Sequence, residues 1–212
     1  MRAWMSRVLF AGALVAPMMA NAVVYQFNAT LNSANEVGTP SMATATGIAT
    51  LSYDTLGTAL LTDDTYSFSM SVFGLTGGAT PGTAASAFHI HGAATTTENG
   101  PVRVSLDSAP FMSLNSGTTL LVGGSGVSAP VLFAATPATL INAGHLSMSF
   151  LDMLQGGLAY VNVHTFAIPS GAVRGQLIQV AVVPEPETYA LLLAGLGLVG
   201  GVVARRRSKS AG

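Results

Sequence analysis

The sequence predicts an all-β domain, a Greek-key sandwich or barrel, enclosed between a helical N-terminal segment and a helical C-terminal segment. Apolar residues alternate with Thr, Ser, Asn and Gln over short windows, which is the period-two pattern of strands with one buried face. Turn-forming clusters separate these windows, for example Asp54-Thr55-Leu56-Gly57, Asn99-Gly100-Pro101 and Pro169-Ser170-Gly171. Many short strands at close spacing are typical of antiparallel sandwiches and barrels.

The alternation predicts nine strands and one short helix. The helix is expected within residues 137–155, with its strongest pattern at 150–154, just before Gly156 and Gly157. The Gly-, Thr- and Ala-rich stretches at 75–85 and 117–129 have the composition of loops. The strands are expected at residues 24–31, 46–53, 66–73, 87–91, 102–106, 119–122, 131–133, 158–164 and 173–182.

Residues 1–22 have the layout of a secretory signal peptide. Arg2 and Arg7 precede an apolar stretch at 8–19, and Ala20-Asn21-Ala22 supplies the small residues of a cleavage site. The apolar stretch is too short for a permanent membrane span. We therefore expect export, with a mature chain that begins at Val23.

The C-terminal residues combine a Pro-Glu-Pro tripeptide, an apolar run and a basic end. The tripeptide is Pro184-Glu185-Pro186, and the run at 188–204 carries no charge. At about 1.5 Å per residue the run would be roughly 25 Å long as a helix, enough for a thin bilayer core. Arg205, Arg206 and Arg207 then open a basic tail at 205–212, which would stay on the cytoplasmic side. The run is therefore expected to be a transmembrane helix.

This order of tripeptide, helix and basic tail resembles the PEP-CTERM sorting signal, here at residues 184–212. The resemblance implies an exosortase-type membrane protease as a partner. It also implies a precursor held transiently in the inner membrane, followed by transfer to the cell surface or the extracellular space. The alternative is a plain single-span anchor.

The region between the two terminal segments, residues 23–183, has the length of one domain with one core. It contains seven acidic residues and only two basic ones, Arg103 and Arg174, so its formal charge is −5. Nucleic acid is excluded as a partner, because phosphate binding needs clustered Lys and Arg. The absence of cysteine excludes thiol catalysis and thiolate-bound metals.

Three of the four histidines are predicted to share one side of the sheet. Residues two apart on a strand face the same way, so His89 and His91 point together, away from the core-facing Phe88 and Ile90. The same alternation in the later strand places His164 with Tyr160 and Asn162, opposite Val161 and Val163. If the two strands are neighbours, the three imidazoles meet on the solvent side. His145 has no ligand set near it in sequence and is expected to be a surface or loop histidine.

Three motifs occur in order along the domain: Phe88-His89-Ile90-His91-Gly92, Tyr160-Val161-Asn162-Val163-His164-Thr165 and Arg174-Gly175-Gln176-Leu177. Shorter matches accompany them at Asn35-Glu36-Val37, Gly47-Ile48-Ala49 and Gly100-Pro101-Val102. Together they resemble the CHRD domain, which implies a fold of the immunoglobulin or superoxide-dismutase-like kind. The chain departs from that pattern at Ala172-Val173, where the family usually has an acid before the arginine.

A fainter similarity concerns the copper/zinc superoxide dismutases. His89, His91, His164 and Arg174 occur in the order of that family's His-x-His pair, later histidine and arginine. The bridging histidine, the zinc loop and the disulfide cysteines have no counterpart, so a complete dismutase site is not expected.

Two functions are compatible with these features. The first is a non-enzymatic one: an exported protein of the cell envelope or extracellular matrix that acts by binding or structural association, with exopolysaccharide or matrix proteins as candidate partners. The second is a metal-binding or redox protein. It would hold a single divalent ion, copper or zinc, at His89, His91 and His164. Beside these ligands, Asn162 or Glu98 would orient a ligand and Arg174 would attract an anion. No nucleophile elbow or phosphate loop is present, which favours the first.

Overall fold

A computed structural model describes residues 22–38, 44–58, 60, 63–127, 148–184 and 186–210. Within these residues the chain forms ten strands, a single 3-10 turn at Ser33–Asn35 and two helices. The strands are β1 (Val23–Asn32), β2 (Thr46–Asp54), β3 (Thr65–Phe73), β4 (Ala87–His91), β5 (Val102–Ser105), β6 (Met112–Ser116), β7 (Thr119–Val127), β8 (Tyr160–His164), β9 (Val173–Gln176) and β10 (Ile178–Pro184). The helices are α1 (Phe150–Gln155) and α2 (Pro186–Ser210).

The ten strands form one antiparallel sheet that curls into half a barrel. Its order is β5-β4-β8-β9-β1-β2-β3-β7-β6, and β10 pairs with β1 next to β9. The long strands pair in turn, β1 with β2, β2 with β3 and β3 with β7, through nine residue pairs each. The sheet therefore brings β4 and β8, far apart in sequence, side by side.

The core lies on the inner, concave face of this sheet. Alternate residues of most strands point inward, including Phe27, Leu51, Phe68 and Ile90. Helix α1 closes this face with the buried residues Phe150, Met153 and Leu154. Its first turn has a capping box, in which the Ser149 and Asp152 side chains satisfy each other's backbone N–H groups. The Phe150 ring packs edge-on against Tyr66, with ring centroids 5.1 Å apart.

The all-β prediction is confirmed, and α1 confirms the strongest part of the predicted helix. The strands form one continuous sheet that curls into half a barrel. The alternation pattern therefore predicted the β class but did not distinguish a sandwich from a barrel. Two strand predictions were incomplete: β6 was missed, and the predicted strand at 173–182 is divided at Leu177 into β9 and β10. The predicted strand at 131–133 lies outside the described residues.

The predicted strand at 119–122 is confirmed, but β7 continues through Gly123, Gly124 and Gly126, so the loop prediction for 117–129 was wrong over Thr119–Val127. Glycine has a low strand propensity, yet Gly124 and Gly126 approach other groups closely. A Cβ at Gly126 would lie 2.6 Å from the Tyr66 ring, and one at Gly124 would lie 2.8 Å from the Phe111 ring. Tertiary packing, rather than local preference, explains this strand.

The apolar run at 188–204 does form a helix, because it lies within the 25-residue α2. Among the described residues, no helix combines the length and the apolar character needed to span a bilayer. The predicted transmembrane helix is therefore not confirmed. The predicted signal peptide lies outside the described residues apart from Ala22.

Two strand glycines test the packing of the sheet. At Gly175 in β9, an added Cβ would lie 2.6 Å from the Thr30 backbone oxygen in β1, so we expect Gly175→Ala to reduce the free energy of unfolding by about 1–3 kcal/mol. At Gly123 in β7, nothing lies closer than 4.0 Å, so Gly123→Ala should be neutral or slightly stabilising. Urea unfolding of the two variants measures the difference. Equal stabilities would contradict this close approach of β9 to β1.

Candidate metal centre

The pairing of β4 with β8 brings the predicted site residues together. His89 lies opposite Asn162, His91 opposite Tyr160, and Ala87 opposite His164. Phe88 and Ile90 are buried in the core, as are Val161 and Val163. The predicted facing of both strands is therefore confirmed, and all three histidines lie on the convex side of the sheet.

His89, His91 and His164 form a compact group, which we call the histidine cluster. Their ring centroids are 5.4 to 5.8 Å apart. One ring nitrogen of each lies within 4.8 Å of one from each of the others. The sequence placed these rings in solvent, but His91 is only 8% exposed and the other two are partly buried. That expectation was wrong because the segment 92–101 covers the convex face here.

Two of the three imidazoles are oriented by backbone carbonyls. Nδ1 of His91 lies 3.0 Å from the Gly100 carbonyl oxygen, and Nδ1 of His164 lies 3.0 Å from the Pro169 carbonyl oxygen. A carbonyl oxygen only accepts, so each Nδ1 must carry the proton and donate it. Both rings then have an unprotonated Nε2. Nε2 of His91 is buried and has no hydrogen-bond partner among the described residues.

His89 is arranged differently. Its Nε2 lies 3.8 Å from Oδ2 of Asp107, and its buried Nδ1 has no hydrogen-bond partner among the described residues. Asp107 follows β5, the edge strand that pairs with β4 through Ser105 and His89. Sequence reasoning missed Asp107, because only the pairing of these two strands places it beside the histidine.

Burial keeps the cluster uncharged near neutral pH. Loss of hydration lowers the pKa of all three histidines, and it lowers the pKa of His91 to about 4. Neutral imidazole is the form that binds metal ions. Because the three nitrogens lie within 4.8 Å of one another, a point exists that is at most roughly 2.8 Å from each of them. A zinc–nitrogen bond is about 2.0–2.1 Å long, so an ion at that point would lie somewhat farther from the nitrogens than a bond length.

Arg174 does not have the role expected from the sequence. The side chain is fully buried, and its guanidinium stacks on the Tyr160 ring, 3.5 Å from the centroid. Its terminal nitrogens donate to the carbonyl oxygens of Glu98 (2.9 Å) and Thr95 (2.8 Å). Arg174 thus fixes the covering segment 92–101 to the sheet, rather than attracting an anion to the cluster.

Glu98 lies in that segment and closes its turn. Its carboxylate accepts hydrogen bonds from the backbone N–H of Thr95 (3.2 Å) and from its hydroxyl (2.9 Å). Glu98 therefore stabilises the turn of the covering segment 92–101, whereas the sequence predicted that it would orient a metal ligand.

Asn162 connects the cluster to a second buried polar group. On the sheet it lies between His89 and Arg174, and its Nδ2 donates to Oε2 of Glu36 at 3.5 Å. Burial raises the pKa of Glu36 to about 7, although the positive charge of Arg174 opposes the shift. Glu36 belongs to the Asn35-Glu36-Val37 motif but was not predicted as a site residue, because nothing in the local sequence around the 3-10 turn that it follows indicates partial burial.

A cleft of about 590 Å³ lies on the Glu36 side of Arg174, away from the histidines. Five of its nine lining residues carry a hydroxyl or amide group, Glu36 adds a carboxyl, and Ala34 and Ile178 contribute apolar surface. The wall residues include Asn28, Thr30, Asn35, Glu36, Thr96, Arg174 and Gln176.

The chain combines a curled β domain, whose imidazoles lie on the face opposite the core, with a tail of a Pro-Glu-Pro segment, a helix and a basic end. These features define a class of exported β proteins with a sorting tail. The chain belongs to the CHRD domain family, which matches residues 27–177. The PEP-CTERM protein-sorting motif matches residues 182–207. Both resemblances seen in the sequence are confirmed. No curated protein and no solved structure matches the chain significantly.

The raised pKa of Glu36 predicts a pH dependence of stability. Because the folded-state pKa of about 7 exceeds the usual value of 4.5, the folded protein holds this proton more tightly than the unfolded chain. The contribution of Glu36 is therefore most favourable below pH 4.5 and is lost as the pH rises to 7. Relative to the wild type, Glu36→Gln should gain stability across this window and level off above it. Urea unfolding from pH 4 to 8 measures this difference, and parallel profiles for the two proteins would refute it.

Proposed function

We propose that this chain is an exported, surface-sorted protein whose CHRD domain binds one divalent transition metal ion through His89, His91 and His164. One observation carries the metal proposal: the three imidazoles offer ring nitrogens within 4.8 Å of one another, and one nitrogen of each ring faces a carbonyl or a carboxylate. Metal-bound histidines almost always have such a partner on the second nitrogen.

The donor set favours copper or zinc. All three candidate ligands are imidazoles, which suit Zn²⁺, Cu²⁺, Fe²⁺ and Ni²⁺, whereas Mg²⁺ and Ca²⁺ prefer oxygen ligands. Nitrogens that share a tetrahedral ion lie roughly 3.4 Å apart, so the nitrogens, now within 4.8 Å of one another, would need to approach by up to about 1.4 Å. An ion held by three protein ligands keeps a further position for water or a small ligand, and would supply Lewis-acid or redox chemistry there.

Binding or structural association at the cell surface, without a metal, is the second candidate function. The observation that favours it is the cleft beside Glu36 and Arg174, because hydroxyl and amide walls suit a neutral, hydroxyl-rich partner such as an exopolysaccharide. Matrix proteins are the other candidate partners at this location.

The metal proposal predicts stoichiometric binding that depends on the cluster. The purified protein should bind about one Zn²⁺ or Cu²⁺ per chain in a competition titration, and the ion at 100 times its Kd should stabilise the fold by about 2.7 kcal/mol. His91→Ala and His164→Ala should each weaken binding by roughly 100-fold or more, because each removes a ligand rather than an outer-shell group.

His145→Ala provides a matched control, since it removes the one histidine that the sequence assigns to no ligand set. It should leave affinity and stoichiometry unchanged. Equal metal content in the wild type and the His89→Ala/His91→Ala double variant would refute the metal proposal.

For sorting, we propose that the Pro184-Glu185-Pro186 segment is recognised by an exosortase-type membrane protease while the apolar run at 188–204 holds the precursor in the inner membrane. The PEP-CTERM match supports this proposal, which rests on the order of the motif rather than on the apolar character of α2. Processing would then free the CHRD domain for the cell surface or the extracellular space.

Replacement of Pro184, Glu185 and Pro186 by alanine should therefore leave an unprocessed precursor in the membrane fraction. Immunoblotting of membrane, surface and medium fractions measures this, with Glu187→Ala as a control that changes a neighbouring acid outside the tripeptide. Normal processing of the triple variant would contradict the proposed recognition.

A further inference from the structure

We infer that Asp107 is a positioning residue that holds His89 with its proton on Nε2, so that the cluster offers Nδ1 of His89 together with Nε2 of His91 and His164. This inference rests on the proposed metal site and specifies its ligand atoms. It also adds a residue that no motif of the sequence contains.

The backbone fixes only two of the three rings. His91 and His164 donate from Nδ1 to carbonyl oxygens at 3.0 Å, which leaves Nε2 as the nitrogen that each can offer. The polar atom that faces His89 is instead the Asp107 carboxylate, at the Nε2 end of the ring. The partners of His91 and His164 therefore lie at Nδ1, whereas the partner of His89 lies at Nε2. His89 must then offer Nδ1 to the ion.

Asp107 acts on His89 through its charge. At 3.8 Å the contact is longer than a direct hydrogen bond, so it is an electrostatic one. A carboxylate favours the tautomer that turns an N–H toward it. The opposite tautomer would turn the Nε2 lone pair toward the carboxylate, which is repulsive. Nδ1 is buried without a partner among the described residues in either tautomer, so the Asp107 charge decides in favour of protonated Nε2 and a free lone pair on Nδ1.

The His-x-His spacing is compatible with the same mixed set of nitrogens. His89 and His91 project from the same face of β4, with Cα atoms roughly 6.5 Å apart. Two rings that leave a strand side by side reach one point most easily if one uses its near nitrogen and the other its far nitrogen. His89 would use Nδ1, the nearer to its own backbone, and His91 would use Nε2, the farther.

The strand order explains why Asp107 occupies this position. Ser105, at the end of β5, is the register partner of His89, and the N–H of Leu106 donates to the Phe88 carbonyl oxygen at 3.1 Å. The next residue is Asp107, which leaves the sheet beside the His89 ring. Its side chain is 35% exposed, so the carboxylate keeps its hydration while it faces the ring.

The first test uses the metal-free protein. Long-range ¹H–¹⁵N NMR spectra of the imidazoles distinguish the two tautomers, and we expect Nδ1–H at His91 and His164 but Nε2–H at His89. Asp107→Asn should shift the His89 ring toward a tautomer mixture and leave the other two unchanged. Asp107→Glu keeps the charge and should restore the Nε2–H form in part. Asp63→Asn, on the β2–β3 connection, removes the same charge elsewhere and should change no ring.

The second test is a Zn²⁺ titration of the same variants. Loss of an outer-shell partner typically costs 10–100-fold in metal affinity, so Asp107→Asn should bind Zn²⁺ at least about 10-fold more weakly than the wild type and the Asp63→Asn control. Nδ1–H at His89 in the wild type, or a His89 tautomer unaffected by Asp107→Asn, would overturn the inference. A wild type that shows the expected tautomers but binds no metal would overturn the proposed function instead.

Discussion

The register between β4 and β8 is the constraint on which the candidate site depends. Side chains alternate on a strand, so a slip of one residue would turn His89 and His91 into the core and expose Phe88 and Ile90. The two apolar residues of β4, with Val161 and Val163 of β8, are buried on the concave side and make such a slip costly. Hydrophobic burial on one face therefore positions the imidazoles on the other, without any interaction among the imidazoles themselves.

The covering segment 92–101 then converts an open sheet face into a partly dry site. A buried guanidinium needs partners for its donors, and both terminal nitrogens of Arg174 donate to carbonyls of the segment while the group stacks on Tyr160. The Tyr160 ring in turn stacks on His91, with centroids 5.1 Å apart. The positive charge of Arg174 therefore lies near the cluster, where it favours the neutral form of His91.

The sequence predicted the strands that bury one face and the histidines on them, because a period of two is visible in the chain itself. It missed features that depend on neighbouring strands. β6 has almost no buried side chain, and Gly124 and Gly126 of β7 are explained by the Phe111 and Tyr66 rings that lie against them. In the site it identified the imidazoles but not Asp107, whose position follows from the pairing of β5 with β4. Arg174 was recognised as a site residue with the wrong role, since its burial under a distant segment has no signature in local sequence.

The unpartnered polar atoms give the last physical argument for a ligand. Among the described residues, Nδ1 of His89 and Nε2 of His91 are buried without a hydrogen bond, and each such group costs about 1–3 kcal/mol. Apolar residues of similar size would avoid that cost, and the core beneath shows that the chain packs such residues well. Glu36, Asn162 and Arg174 each carry one such atom as well, so an unpartnered atom alone does not identify a ligand. The histidines differ because three uncharged imidazoles lie together, and a single cation bound there, as we propose, would satisfy these lone pairs.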